Sequence, residues 1–265
     1  MATMLPERHI GAVNWVGLGT LYGKECRRFF KVWLQTIVAP TITSMLFLAV
    51  FALAIGRVMP EIGGVSFLQF MAPGLIVMAM MQNSFANTSS SLMISKVQGN
   101  VVDVLMPPLS PGELLIGFAM GGMSRGLVVA LVLSLVMLPF VHLEVHHFGF
   151  LLLHALGASL MLSLMGLLTA IWAEKFDQLA AVTNFIITPL AFLSGTFYSI
   201  ERLPEPLLTA SQFNPFFYLI DGFRYGMIGH ADGSLAVGAA VVVGCVVVMW
   251  LICLKILIKG YRLKA

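Results

Sequence analysis

Few groupings of side chains in this sequence could do chemistry. His142, Glu144, His146 and His147 offer imidazole and carboxylate ligands of the kind zinc accepts. They sit together between Val141 and Phe148 without a fixed ligand spacing, and solvated residues of a short loop account for them more simply. No G-x-S-x-G, H-E-x-x-H or Cys/His metal spacing occurs. A G-x-x-x-x-G-K-[ST] phosphate cradle is also missing, so no cofactor is expected on this chain and ATP hydrolysis in the usual way is excluded. What remains is polar side chains in apolar surroundings. Asn83 and Asn87 are four residues apart and share one helical face, with Ser84, Thr88 and Ser91 on a neighbouring stripe. Amides left unpaired in an apolar medium are costly, so this stripe either packs helices or lines a wet path. Thr183, Asn184, Thr188 and Thr196, with Pro189, form a second polar set. Asn83, Asn87, Thr88, Asn184 and Thr188 are therefore the candidate path residues. Arg125 and His154 are ionisable groups within apolar runs. His154 is expected to be a hydrogen-bonded packing residue, and Arg125 either snorkels or pairs with a carboxylate from a loop.

The elements that must position these residues follow from composition. The chain has 265 residues, 59% hydrophobic and 10% charged, against about 25% charged in ordinary soluble domains. Its mean hydropathy is +0.95. Cys26, Cys245 and Cys253 lie in or beside apolar segments and read as reduced, small hydrophobes. The start lacks the order of a cleaved signal peptide, so the first apolar run is expected to be a retained anchor. A crossing helix needs about 20 mostly apolar residues. Six intervals qualify: 33–55, 67–91, 114–141, 148–173, 179–200 and 235–258. The fold class is thus all-α integral membrane with six transmembrane helices, a 1–32 cytoplasmic tail and interfacial helix, and a 259–265 tail. Basic residues gather before the first span (Arg8, Lys24, Arg27, Arg28, Lys31), after the sixth (Lys259, Arg262, Lys264), and at Lys96, Lys175 and Lys255. Only Arg57, Arg202 and Arg224 fall on the other side, which puts both termini in the cytoplasm. This distribution explains the net charge of +3 without a nucleic-acid partner.

Three segments between spans carry further signals. From Trp15 to Trp33, apolar residues recur at helical spacing while Lys24, Arg27, Arg28 and Lys31 hold another face. Such an amphipathic helix lies in the headgroup plane, as a topology anchor or as a contact for a partner. Val101, Val102, Leu105 and Met106 can form one apolar patch before Pro107 and Pro108 end the helix. That is either an ordinary turn or a docking knob. Ser110, Pro111 and Glu113 have the spacing of an N-cap, a first-turn proline and a capping-box acid. The stretch 200–234 is too apolar for a solvated loop, yet Pro204, Pro206 and Pro215 interrupt it. Two re-entrant outer helices between spans five and six satisfy both facts. Asp221 and Arg224, at i and i+3, can pair there. The run Gly117, Gly121, Gly122 and Gly126 permits close helix contact.

The order and spacing of several pieces resemble the membrane permeases of type-2 ABC exporters, in the YadH-like bacterial branch. They are Lys24-Glu25-Cys26-Arg27-Arg28-Phe29, Phe70-Met71-Ala72-Pro73-Gly74, Leu105-Met106-Pro107-Pro108-Leu109-Ser110, Phe192-Leu193-Ser194-Gly195-Thr196-Phe197-Tyr198, Asn214-Pro215-Phe216-Phe217-Tyr218 and Asp221-Gly222-Phe223-Arg224-Tyr225. Where many such permeases have an acidic residue, this chain has Gln98-Gly99-Asn100, so no charge-based contact carries over to those positions. The resemblance implies a homodimer flanked by two copies of a cytoplasmic ABC ATPase, which would hold the ATP and Mg, in the bacterial inner membrane and in contact with its lipid. It implies ATPase docking by Arg27, Arg28, Val101, Val102, Leu105 and Met106. It also implies an outer gate from Tyr198, Phe213, Phe217, Tyr218, Asp221 and Arg224, and a path beside spans one, two and five. The expected function is the permease subunit of an ATP-driven exporter moving an amphipathic, lipid-linked or drug-like substrate. The other class is a stand-alone secondary transporter, which calls for midplane ionisable residues and an inverted repeat.

Overall fold

The computed structural model describes residues 11–56, 61–62 and 64–261. Arg8, Arg57, Arg262 and Lys264, which enter the charge asymmetry, lie outside the described residues. Chain segments withdrawn from water must satisfy their own backbone N–H and C=O groups, and the long uncharged runs do so as helices. In order these are α1 (Trp15–Lys31), α2 (Ala39–Ala54), α3 (Phe67–Val97), α4 (Val101–Leu105), α5 (Pro111–Met137), α6 (Phe148–Trp172), α7 (Phe176–Val182), α8 (Thr188–Leu193), α9 (Glu205–Phe213), α10 (Pro215–Ile228) and α11 (Leu235–Lys259). Among the described residues the sheet content is one antiparallel hairpin, β1 (Glu61–Ile62) on β2 (Val65–Ser66).

Two wide-turn π segments interrupt this pattern. Leu34–Val38 joins α1 to α2, and Thr183–Ile187 joins α7 to α8. In each, an amide reaches back five residues: Ala39 N–H to the Leu34 carbonyl, and Thr188 N–H to the Thr183 carbonyl. A proline follows two residues after each segment, Pro40 and Pro189. Proline lacks an amide and collides with the carbonyl four residues back, so the backbone widens just ahead of it.

Among the described residues five stretches are long and apolar enough to cross a bilayer: Leu34–Ala54, Pro111–Met137, Phe148–Trp172, Phe176–Leu193 and Leu235–Lys259. The sequence predicts six. The remaining candidate is α3, whose 31 residues extend for about 46 Å. Its polar stretch Gln82–Ser91 makes it less apolar than α5, α6 or α11. It is also the most enclosed element, packed on α2, α5, α6 and α10. The main core gathers around it, with Phe70, Met71, Ile76, Met80 and Met81 fully buried.

Local chemistry sets the helix ends. Ser110 caps α5 through the Glu113 amide while Glu113 reaches back to the Ser110 amide at 2.6 Å, the capping box its spacing predicts. The segment leading out of α8 stops at Leu193, short of the Ile200 limit read from the sequence. Gly195 there takes a left-handed φ of 74°, and the Thr196 hydroxyl hooks back to the Ala191 carbonyl at 2.7 Å. Gly74 meets the Thr196 backbone so closely that no side chain fits between them. The Gly117 and Gly121 backbone lies against Leu21 and Glu25 of α1, while Gly122 and Gly126 lie against Thr88, Ser163 and Ser84.

Candidate functional site

The polar stripe of α3 meets three different surroundings. Asn87 is fully buried: its side-chain and main-chain oxygens both accept from Arg28 Nη2, at 3.0 and 2.6 Å. The Thr88 hydroxyl donates to the Ser163 carbonyl of α6 at 2.8 Å. Asn83 donates to the Ala79 carbonyl at 2.9 Å and accepts from Arg125 Nη2 at 2.9 Å. It also borders a cleft of about 340 Å³ between α2, α3 and the second π segment, with Pro40, Ser44, Phe47, Gln82 and Thr183. Of the five path candidates, Asn83 alone lines this cleft. Asn87 and Thr88 bind helices together, Asn184 is exposed and Thr188 half-buried. The partner of Arg125 is an amide rather than a loop carboxylate.

The basic face expected for α1 divides. Arg27 is exposed, whereas Arg28 turns inward and also donates to the Ser90 hydroxyl at 3.0 Å. Beside it lies Glu25, with no exposed surface, 3.2 Å from Arg28 Nη2 and accepting from the Ser91 hydroxyl at 2.6 Å. Arg28 is thus a link from α1 to α3 rather than an open docking cation. Glu25 was not singled out from the sequence, although a signal exists. It occupies the apolar stripe Leu21, Glu25, Phe29 at four-residue spacing, where an acid has no solvent and needs partners.

The α4 patch also divides. Val101 and Leu105, with Val104 and Leu109, pack on the core cluster of Leu21, Leu92 and Leu114, while Val102 and Met106 are exposed. The four fall into two neighbouring stripes at four-residue spacing, Val101 with Leu105 turned to the core and Val102 with Met106 turned out. Between α1, the end of α3 and α4 runs a groove of about 310 Å³ lined by Lys24, Asn100, Asp103, Val104 and Pro107. Asn14 ties the two walls together, donating from its amide to Glu113 and from its side chain to the Pro108 carbonyl. Lys96 caps the end of α6, donating to the carbonyls of Ala170, Ile171 and Ala173.

At the opposite end, Asp221 and Arg224 do not make the direct pair their spacing allows. Asp221 accepts from the amides of Asp232 and Gly233, at 2.7 and 3.0 Å. Arg224, fully buried, donates to the Phe70 and Gly195 carbonyls and stacks 3.9 Å over the Phe70 ring. Asp232 in turn accepts from the Ile200 amide and lies 2.9 Å from His230 Nε2. Burial pushes the Asp232 carboxyl up, but His230, the Arg224 charge, Ser199 and the Ile200 amide outweigh it and hold it below the ordinary aspartate range. Phe217 is buried, Tyr198 and Tyr218 are half-buried, and Phe213 is 85% exposed at the α9–α10 corner. His154 is buried with Nδ1 2.8 Å from the Phe150 carbonyl. His142 and Glu144 are exposed and 2.7 Å apart, while His147 caps α6. Among the described residues no His, Cys, Asp and Glu group could hold a metal, and the three cysteines are free.

The family model for ABC-2 type transporters matches residues 17–228. Among curated proteins, the chain is similar to the inner membrane transport permease YadH of Escherichia coli K12. The two are 37% identical over 251 residues, covering 95% of this chain and 98% of that one. It is also similar to nodulation protein J of Rhizobium leguminosarum bv. trifolii, at 24% identity over 83% of each chain. Nodulation protein J of Neorhizobium galegae matches at 22%, over 86% of this chain and 87% of that one. The chain belongs to the ABC-2 type transporter family.

Proposed function

We propose that this ABC-2 family member is the membrane permease subunit of an ATP-binding-cassette exporter of the bacterial inner membrane. It works as a homodimer with two copies of a separate ATPase, and both of its termini are cytoplasmic. The observation that carries this reading is the extent of the family match. It runs from α1 to the end of α10 and encloses the α1–α4 groove, the cleft and the α9–α10 corner. α3 is the sixth span: its length suffices, and its polar face is turned into the bundle instead of toward lipid. α9 and α10 are the re-entrant pair, since the 14 residues of α10 extend for about 21 Å, too short to cross. The exposed Val102 and Met106 and the groove beside them receive the ATPase, and Arg27 contributes charge at its rim. The cleft bordered by Asn83 admits an amphipathic substrate from the cytoplasm or inner leaflet. The chain does no covalent chemistry; ATP binding on the partner shifts an equilibrium between helix arrangements.

The test is co-expression with the ABC ATPases of the same genome, each in turn, followed by purification in lipid nanodiscs. A stable complex with two ATPases per permease dimer, whose ATP hydrolysis depends on the permease, is expected. A permease that purifies alone and transports on an ion gradient without ATP would overturn the reading in favour of a secondary transporter.

A further inference from the structure

Three of the inward-turned cations are neutralised or fully bonded. Arg28 has Glu25, Arg224 has two carbonyls and a ring, and Lys96 has the end of α6. Arg125 differs. Its one hydrogen bond is to the Asn83 amide oxygen, and its Nε, like that of Arg28, is buried without a partner. Among the described residues no carboxylate lies within ion-pair distance of it. It stands 14 residues along α5 from Pro111, about 21 Å from the helix start. If α5 crosses as proposed above, that is about halfway along the span, level with the part of α1 where Tyr22 meets the neighbouring Ser124 at 2.9 Å. A cation held there needs a negative charge that the described residues do not supply.

The geometry points to that charge arriving with the cargo. We propose that Arg125, held by Asn83 one side chain behind the wall of the cleft between α2, α3 and the second π segment, recognises the negative head group of an anionic amphiphile that displaces Asn83. Asn83 is the shared residue, bonded to Arg125 on one side and bordering the cleft on the other. The remaining walls suit both halves of such a molecule: Ser44, Gln82 and Thr183 are polar, and Phe47, Leu75 and Met78 are apolar. A guanidinium presents a fork of donors matched to phosphate or carboxylate oxygens. The inference deepens the permease reading and rests on it for the depth of Arg125.

The test measures dodecyl phosphate binding to the full-length permease in phosphatidylcholine nanodiscs, by calorimetry, with 1-dodecanol and inorganic phosphate as comparison probes. The wild type should bind dodecyl phosphate at least about tenfold more tightly than either comparison probe. Arg125→Gln removes the charge, and Asn83→Asp supplies the missing carboxylate beside the guanidinium. Each should weaken dodecyl phosphate binding by about tenfold or more. Should one variant fail to fold, by gel filtration and far-ultraviolet dichroism, the other decides. Wild-type affinity in a folded variant overturns the proposal, as does equal binding of dodecanol. Inorganic phosphate binding as tightly as dodecyl phosphate overturns the amphiphile in favour of a bare anion. Failure of an ATPase to associate would sink the permease reading while leaving these affinities to stand or fall alone.

Discussion

Replacing Glu25 with alanine tests whether α1 is fastened to the bundle by charge. The Glu25 carboxylate is wholly enclosed and accepts from Ser91 at 2.6 Å, from Arg28 at 3.2 Å and, weakly, from Asn87 at 3.4 Å. A hydrogen bond to a charged group contributes about 1.5–3 kcal/mol, so the short Ser91 contact supplies about 2. The Arg28 side chain is 26% exposed and keeps its bonds to Ser90 and Asn87 in the variant, so its share, discounted for solvent, is about 1 kcal/mol. The sum of about 3 kcal/mol corresponds to a fall in Tm of about 6–12 °C for a chain of this size. Scanning fluorimetry on the purified protein reads that fall, and hydrogen exchange over Trp15–Lys31 should rise with it. Ser91→Ala should reproduce most of the loss, and the double variant should fall well short of the sum, because the two share one bond. A Glu25→Ala shift under about 2 °C with unchanged exchange in α1 would refute the reasoning.

Other expectations follow from single contacts. Met106→Asp, at a residue 75% exposed, should leave Tm unchanged while lowering permease-dependent ATP hydrolysis, whereas Leu105→Asp, packed on the core cluster, should also lower Tm. Gly122→Val would force a side chain into Ser163 and Thr88; chemical denaturation should register a loss of about 1–3 kcal/mol. Because the Asp232 carboxyl is held low in the folded chain, its stabilisation is present above the unfolded aspartate pKa of about 3.9 and is lost as pH falls through the folded value. Asp232→Asn should therefore lower Tm at pH 7 and flatten its decline below about pH 4. Single cysteines at Ser110 and Ser234 should label from the cytoplasm and from outside respectively with an impermeant maleimide; the reverse pattern would end the proposed orientation.

Features that depend on a few neighbouring residues were legible in the sequence. The Ser110 cap, the stop at Pro107 and Pro108, and the close approach along Gly117–Gly126 all follow from local sterics and hydrogen bonding. What resisted was the direction in which a side chain faces. Lys24, Arg27, Arg28 and Lys31 read as one polar face, yet Arg28 turns in because Asn87 and Ser90, some sixty positions away, offer oxygens. Asp221 and Arg224 have pairing distance in sequence, but backbone groups of Gly195, Asp232 and Gly233 satisfy them first. The polar stripe of α3 was correctly located and not resolvable into roles, since amides serve packing and passage equally well until their neighbours are known. The end of α8 was overrun because Gly195 breaks the helix inside an otherwise uninterrupted apolar run.

The two π segments have a bearing on how this chain can be recombined with others. Each holds one residue more than an α-helix of the same rise needs, and a helix turns by about 100° per residue. Everything on one side of Leu34–Val38, or of Thr183–Ile187, is therefore out of phase with everything on the other. A hydropathy wheel drawn straight through 33–55 superimposes two misaligned wheels. A chimaera joined within either segment must allow for the surplus residue when the two sequences are aligned. Deleting Gln35 or Asn184 would restore continuous α-helix and leave the two halves facing as they do now, whereas the same deletion elsewhere in the rod would swing one half by roughly a quarter turn. Thr183 and Pro40 would then keep their places on the cleft they border.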